Sequence, residues 1–298
     1  MSQRPERLTQ RLRELGVRWQ HDIRKGGDET KALYVPLLAQ APKAGVDIID
    51  NLAYGDHPRQ ILDVYRPTGA HRSPVVLFVH GGAFIRGAKN INAEMYGNVL
   101  TWFARQGYIG INVEYRLAQD APYPGGAADV AQACEWVARH VHEFDGDPDR
   151  ICLIGHSAGG THVATLACDP LYGSAPLNVQ GVVLISARLK ADILAVNPNA
   201  AGVRAYFGND PSHYESGSPL THAARARVPV LVVNAEYENP LLDIYGLEFA
   251  LALGKASASA PLHIALPDHN HVSIMAHFNT PEQWLGEQVL AFFERSCR

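Results

Sequence analysis

The five-residue stretch Gly155-His156-Ser157-Ala158-Gly159 has the pattern G-x-S-x-G, in which the central serine can serve as a nucleophile. It directly follows the apolar run ICLIG (151–155) and precedes a segment of helical character. A sharp turn from strand to helix here would lift the Ser157 hydroxyl above the edge of a sheet, where a helix N-terminus favours developing negative charge. The glycines are needed because such a turn leaves no room for a Cβ atom near the serine. The pattern therefore predicts that Ser157 is a nucleophile.

A second glycine-rich loop begins at His80, directly after the apolar run VVLFV (75–79). Adjacent glycines let the backbone turn its N–H groups toward a ligand. In enzymes with this serine turn, such a loop forms half of an oxyanion hole, and the N–H after the nucleophile forms the other half. We therefore predict that Gly81, Gly82 and Ala158 donate hydrogen bonds to an oxyanion.

A serine hydroxyl is a weak nucleophile, so it needs a general base, and the base needs an acid that orients it. With this type of serine turn, the acid and then the histidine follow the serine along the chain. Three carboxylates come after the run PVLVVN: Glu236, Glu238 and Asp243. Two histidines come after the run LHIAL: His269 and His271. Both segments lie at the carboxyl ends of predicted strands, where parallel sheets place their ligands, and chain order alone leaves both choices open.

Eight short apolar runs predict the strands that position these groups. The runs are 46–50, 61–65, 75–80, 108–115, 151–155, 181–186, 229–234 and 262–266. Helical segments are predicted at 92–106, 125–142, 158–168, 241–254 and 283–295. Near-continuous apolar strands that alternate with helices are typical of an α/β protein with one doubly wound parallel sheet. The first two strands are joined too closely for a crossover helix, so we expect them to pair antiparallel.

Two regions lie outside this alternation. Near the N-terminus, apolar residues recur at helical spacing: Leu8, Leu12, Leu15 and Trp19. A second short helix is expected over about 30–40, whereas 187–228 is rich in Asn, Pro, Ser, Gly and Ala and has no strand pattern. We predict a single domain, 1–298, in which about 1–45 and 187–228 form a lid over the strand ends.

Composition excludes several classes of protein. With 298 residues, 47% hydrophobic and 19% charged, the chain can bury a large core without a disulfide or metal. A net charge of −4 without a block of like charge argues against nucleic-acid binding. The polar N-terminus and the lack of a long apolar run predict a cytoplasmic protein without stable membrane anchoring. The four cysteines lack metal-ligand spacing and predict thiols rather than disulfides.

Further motifs accompany the serine turn and the glycine loop: Tyr115-Arg116-Leu117, Pro122-Tyr123-Pro124, Asp129, Asp147-Pro148-Asp149-Arg150-Ile151 and Ser218-Pro219-Leu220. With these motifs, roughly residues 45–295 resemble the hormone-sensitive-lipase-like bacterial esterases and the neighbouring arylformamidase group. The resemblance implies an α/β-hydrolase fold, with an eight-stranded, mostly parallel sheet flanked by helices and a helical lid. It implies Glu238 as the triad acid and His271 as the base. Glu238 departs from the family, where Asp is commoner, and Ala83 stands where many members have a third glycine.

The resemblance implies a serine carboxylesterase that acts through an acyl-enzyme, without a metal or organic cofactor. We expect short-acyl or aryl esters as substrates, because the lid segments are modest and the sequence lacks the long apolar runs expected of a lipase. The partner would be a small-molecule ester, and a homodimer is left open.

An amidase, such as an aryl formamidase, would use the same groups. A non-catalytic receptor is a different class, since plant gibberellin receptors resemble this family but lack the catalytic histidine. Three aromatic residues are candidates for the substrate pocket, although structural packing explains them as well: Tyr123, Tyr206 and Phe207.

Overall fold

The computed structural model describes residues 4–172 and 179–297. The strands are β1 (Val46–Ala53), β2 (Ile61–Pro67), β3 (Ser73–Val79), β4 (Ile109–Val113), β5 (Gly146–His156), β6 (Val179–Ile185), β7 (Val230–Tyr237) and β8 (Leu262–Asn270). The helices are α1 (Glu6–Val17), α2 (Ile23–Ala39), α3 (Gly97–Arg105), α4 (Gly125–His140), α5 (Ala158–Cys168), α6 (Ala200–Phe207), α7 (Tyr214–Gly217), α8 (Pro219–His222), α9 (Leu242–Ser257), α10 (Ser273–Ala276) and α11 (Trp284–Ser296).

All eight predicted strands form one sheet in the order β1-β2-β4-β3-β5-β6-β7-β8. The expected antiparallel pairing of β1 with β2 is confirmed, and β2 is also antiparallel to β4. Every other neighbouring pair is parallel, so β2 alone runs against the remaining strands of this sheet. Because the parallel strands end at one edge, the loops that follow them converge there.

The sheet lies between two layers of helices, and alternate residues of β3 show why. Val75, Leu77 and Val79 belong to a buried cluster that includes residues of α4, α5 and α9. Val76 and Phe78 belong to a second cluster, with residues of α3 and α11. Successive side chains of a strand point to opposite faces, so a strand that is apolar at every position is buried on both sides.

The N-terminal helices differ from the predicted ones at one boundary. The second helix was expected over about 30–40 but begins at Ile23, because the side chain of Asp22 caps it by accepting a hydrogen bond from the Lys25 backbone N–H. Gly26 lies against the indole of Trp19, where an added Cβ would come within 2.9 Å of the ring. This contact explains why the early part of α2 is poor in helix-forming residues.

The segment 187–228 is partly helical, as its composition predicts, and contains α6, α7 and α8. Gly202 of α6 packs on the backbone near Ala83, where a Cβ would lie 2.0 Å from the Ala83 carbonyl oxygen. The segment therefore packs directly on the glycine-rich loop that follows β3. Across the described ranges, no helix combines the length and the apolar character needed to cross a bilayer.

Candidate active site

The register of β3 and β5 brings the two glycine-containing loops together. These strands are parallel neighbours, and Val79 pairs with Gly155. The loop after β3 and the turn after β5 therefore begin at the same level of the sheet. Gly81 lies so close to Ser157 that a Cβ built on it would be 2.9 Å from the serine Cβ. The structure thus brings together the two elements predicted to form an oxyanion hole.

Ser157 occupies a sharp turn between β5 and α5. Its φ of 54° and ψ of −119° are unusual for a residue with a side chain. A Cβ on Gly159 would lie 2.2 Å from the Val79 carbonyl oxygen, and a Cβ on Gly155 would lie 2.6 Å from the Gly160 Cα. Both clashes involve backbone atoms that cannot move aside, so the turn requires glycine on both sides of the serine.

Ser157, His271 and Glu238 form a continuous chain of hydrogen bonds. The His271 Nε2 atom lies 3.0 Å from the Ser157 Oγ atom, and its Nδ1 atom lies 2.8 Å from the Glu238 Oε2 atom. An ionised carboxylate only accepts hydrogen bonds, so it holds the proton on Nδ1 and leaves Nε2 free to accept the serine proton. The arrangement can therefore deprotonate the serine as it attacks an electrophile.

The acid is firmly held although Glu is uncommon in this slot. Glu238 is 2% exposed, and its Oε1 atom accepts hydrogen bonds from the Ser186 hydroxyl and the Ala235 N–H. Its Oε2 atom accepts from the Asn239 N–H as well as from His271. Because Ser186 directly follows β6, three neighbouring strand ends support this one carboxylate.

The other two carboxylates after β7 lie elsewhere. Glu236 is exposed and accepts a hydrogen bond from the Asp268 N–H, 2.6 Å away on β8. Asp243 lies in the first turn of α9, where a carboxylate complements the helix dipole. In the part of the chain that the structure describes, Glu238 is the one of these three carboxylates that forms a hydrogen bond with His271.

His269, the other histidine of the pair, faces away from the serine. It is fully buried, and its two ring nitrogens each lie 3.0 Å from a partner, Ser273 Oγ and Glu282 Oε1. Although burial acts to raise it, the pKa of Glu282 falls to about 2, mainly through the hydrogen bond with His269. Glu282 is therefore ionised and ties down the loop that carries His271.

His156 supports the same loop from the opposite side, and the sequence pattern gave no reason to select it. Burial lowers its pKa well below the usual value, so the ring is neutral. Its Nε2 atom lies 3.0 Å from the His271 carbonyl oxygen, and its Nδ1 atom lies 3.1 Å from the Tyr96 hydroxyl. The serine motif allows any residue at this position, so its type alone carries no signal.

His80 anchors the glycine-rich loop. It is fully buried, and its ring stacks on Tyr115 with the centroids 4.4 Å apart. The Tyr115 hydroxyl donates a hydrogen bond to the His80 carbonyl oxygen, and His80 Nε2 lies 2.8 Å from Glu114 Oε1. This buried support fixes the loop from which Gly81 approaches Ser157, and Gly82 lines the same cavity.

A cavity of about 350 Å³ opens onto Ser157 and His271. Its apolar wall comprises Trp19, Ile23, Ile91, Met95, Val272 and Met275. One side comes from α2 and the turn before it, and Pro198 and Asn199 of the segment 187–228 contribute to the other. Both regions predicted to form a lid therefore border the cavity, although only these two residues of 187–228 line it.

The three aromatic residues considered for the substrate pocket line a different cavity. Tyr123, Tyr206 and Phe207 surround a separate space with Pro122 and His213, so packing rather than the substrate pocket accounts for them. Tyr206 stacks on Phe84, with the ring centroids 4.7 Å apart. Their packing fills the space on that side of the glycine-rich loop.

The cysteines of the described chain are free thiols, with Cys152 and Cys297 Sγ atoms 3.5 Å apart. Within residues 4–172 and 179–297, no three His, Cys, Asp or Glu side chains are grouped so as to hold a metal ion. His269 and His271, the pair with metal-like spacing, instead turn to different carboxylates, Glu282 and Glu238.

Comparison with known proteins relates the chain to esterases. Residues 62–170 match the BD-FAE family. The chain is 29% identical over 239 residues to the esterase LipC of Mycobacterium tuberculosis, an alignment that covers 73% of this chain and 58% of LipC. It is 24% identical to the esterase LipQ of the same organism, of which 57% is covered. The chain thus spans less than two thirds of the length of these curated relatives.

Solved structures show the same fold. Esterase B from Lactobacillus rhamnosis superposes with a TM-score of 0.76 at 19% identity, covering 96% of each chain. A bacterial heroin esterase superposes with a TM-score of 0.69 at 25% identity, covering 94% of this chain and 93% of that one. The predicted α/β-hydrolase fold is therefore confirmed, as is the similarity to esterases.

Replacing Glu238 by Gln should lower turnover by roughly 10⁴, because the imidazole loses both its tautomer control and the charge that stabilises its protonated form. Glu238→Asp should keep part of the activity, since charge remains but reach is shorter. Turnover on an activated ester measures both, with Glu236→Gln as the matched control. Near-normal turnover of Glu238→Gln would contradict the assignment, above all if Glu236→Gln or Asp243→Asn were inactive.

Alanine variants of His271 and His269 should differ in turnover in the same assay. His271→Ala should lose roughly four orders of magnitude in turnover, because it removes the base. His269→Ala should lose far less turnover but should lower the melting temperature, since it removes the hydrogen-bond partner of the buried Glu282 Oε1 atom and leaves this carboxylate with Arg4. The reverse ranking of turnover would make His269 the base.

Proposed function

We propose that this α/β-hydrolase is a serine carboxylesterase that cleaves short-acyl or aryl carboxylic esters through an acyl-enzyme. The observation that carries the proposal is the chain of hydrogen bonds from Ser157 through His271 to Glu238, which begins in an open cavity. The names of the similar proteins LipC, LipQ and heroin esterase support the same class of reaction.

In the acylation step, Ser157 Oγ attacks the ester carbonyl carbon as its proton passes to His271 Nε2. The Glu238 carboxylate stabilises the imidazolium that forms. The resulting tetrahedral intermediate carries its negative charge on the former carbonyl oxygen. His271 then returns the proton to the leaving alcohol, and the carbon–oxygen bond of the ester breaks.

The backbone N–H groups of Gly81, Gly82 and Ala158 are proposed to bind the oxyanion. This role is supported by the position of Gly81 beside Ser157, of Gly82 on the wall of the same cavity and of Ala158 at the start of α5. Loss of one such donor costs roughly 10²–10³ in turnover in a comparable enzyme, because preorganised dipoles need no rearrangement as charge develops. The same groups act again when water, deprotonated by His271, attacks the acyl-enzyme and releases the carboxylic acid.

We also propose that the N-terminal helices and the segment 187–228 act as a lid over this site. The support is that α2 and residues 198–199 border the cavity from two sides. A bordered cavity of about 350 Å³ limits how much substrate can be enclosed. This limit favours small esters over long lipids.

Ser157→Ala should abolish esterase activity while the protein stays folded, because loss of such a nucleophile costs on the order of 10⁶ in turnover. A fluorophosphonate probe should label the wild-type protein at Ser157 and leave the variant unlabelled. Circular dichroism checks the fold. Retention of a tenth of wild-type activity by Ser157→Ala would refute the mechanism, and wild-type protein that resists labelling would favour a non-catalytic receptor.

A series of 4-nitrophenyl esters should give the highest kcat/KM at acyl chains of roughly two to eight carbons, because longer chains exceed the enclosed apolar wall. A long-chain triglyceride emulsion serves as the comparison, and a faster rate on the emulsion would contradict the expectation. An N-formyl aromatic amine tested alongside distinguishes the amidase alternative, which its preferential hydrolysis would support.

A further inference from the structure

The cavity at Ser157 has a charged rim of one sign. Three of its lining residues are cationic at neutral pH: Arg24, Lys31 and Arg86. Among the described residues that line it there is no Asp or Glu, although the chain as a whole carries a net charge of −4. Positive charge is therefore concentrated around the cavity that contains the serine.

The arrangement of α2 directs two of these charges toward the cavity. Arg24 and Lys31 are seven residues apart, which is close to two helical turns, so they share one face of the helix. Gly27 lies between them on that face and also lines the cavity. Gly27 carries no side chain that could project into the cavity between the two cations, and a Cβ on it would lie 3.5 Å from the Val272 side chain.

Arg86 contributes the third charge from the glycine-rich loop after β3. Its described hydrogen bond is with the neutral Asn199 side chain, at 3.3 Å. Lys31 is paired with Asp28 at 2.6 Å, but both side chains are partly exposed, and such pairs exchange partners at little cost. Asp28, which does not line the cavity, therefore holds Lys31 only loosely, and the three cations remain able to bind an anion.

Apolar side chains share the cavity with the cations. Ile23, Ile91 and Met95 line it together with Ser157 and the three cations. A ligand that matches this lining carries an ester, an apolar stretch and an anion. Since the cations lie beside low-dielectric side chains, they attract such an anion more strongly than free ions in water would.

Resting on the proposed esterase function, we propose that the preferred substrates are esters that carry a carboxylate several bonds from the scissile bond, and that Arg24, Lys31 and Arg86 select them. These residues determine specificity and take no part in the chemical steps. The chemistry indicates the class of substrate, a half-ester of a dicarboxylic acid or an ester of an acidic alcohol. Which side of the ester carries the charge is decided by the experiment.

The test compares matched pairs of esters. For the acyl side, the pair is mono-4-nitrophenyl adipate and 4-nitrophenyl hexanoate, which have the same chain length and differ in the terminal carboxylate. For the alcohol side, the pair is 4-carboxybenzyl butyrate and benzyl butyrate. The measured quantity is the ratio of kcat/KM for the anionic ester to that for the neutral ester. At low ionic strength we expect this ratio to exceed about five in at least one pair.

Variants then identify the source of the preference. Arg24→Gln, Lys31→Gln and Arg86→Gln should each lower the ratio about threefold or more, and the triple variant should bring it to about one, as removing charges from a binding site does. Arg24→Lys and Arg86→Lys should keep most of the ratio. Lys255→Gln, an exposed cation in the last turn of α9, is the matched control and should leave the ratio unchanged.

The wild-type protein gives a second readout that needs no variant. Raising the salt concentration should lower the ratio, because mobile ions screen exposed charges. A ratio of one or less in both pairs, or a ratio that the triple variant and salt leave unchanged, would overturn the inference while esterase activity stands. Absence of hydrolysis of all four esters would instead refute the proposed function itself.

Discussion

The close approach of α5 to the end of β3 is the constraint on which the site depends. Gly159 lies so close to the Val79 and His80 carbonyl oxygens that no side chain would fit between them. This contact lets the helix begin immediately after Ser157 and fixes the direction in which the serine points. The positive φ of Ser157 costs on the order of 1–3 kcal/mol, and such a conformation persists only when its surroundings enforce it. All residues of α5 are buried, so the helix cannot relax away.

The remaining groups reach the serine because parallel strands end at one edge. Ser157 follows β5, Ser186 follows β6, Glu238 follows β7 and His271 follows β8, in the order in which these strands lie in the sheet. Each group therefore needs only a short loop to meet its neighbour. The loop of His271 has additional support, since His269 holds it on one side and His156 holds it on the other. Rigid support of this kind keeps hydrogen-bonding distances within the narrow range that catalysis needs.

The elements that carry local patterns could be predicted from the sequence. The helix 158–168 has its predicted bounds and all eight strands occur where they were predicted, because buried parallel strands and the serine turn leave strong signals over a few residues. Strands β1, β5 and β8 extend three to five residues beyond the predicted runs. The choice of Glu238 over Glu236 rested on resemblance to a family, and the structure gives the physical difference: one side chain turns into the sheet edge and the other turns out to Asp268. The role of His156 and the location of Tyr206 could not be predicted, since each is set by a partner distant in sequence. The early start of α2 is capped locally by Asp22, but Gly26 and Gly27 are unfavourable inside a helix and obscure it.

The hydrogen bond from the Trp19 indole to the Asn239 side chain joins the N-terminal segment to the loop that carries Glu238. The backbone N–H of Asn239 in turn donates to Glu238. Trp19 and α2 also form one wall of the cavity, so a single hairpin of chain both braces the acid and presents the groove to substrate. Helices of other composition could therefore replace this hairpin and change the substrate selectivity of the cavity. Such a replacement would have to retain the indole of Trp19 and its hydrogen bond to Asn239.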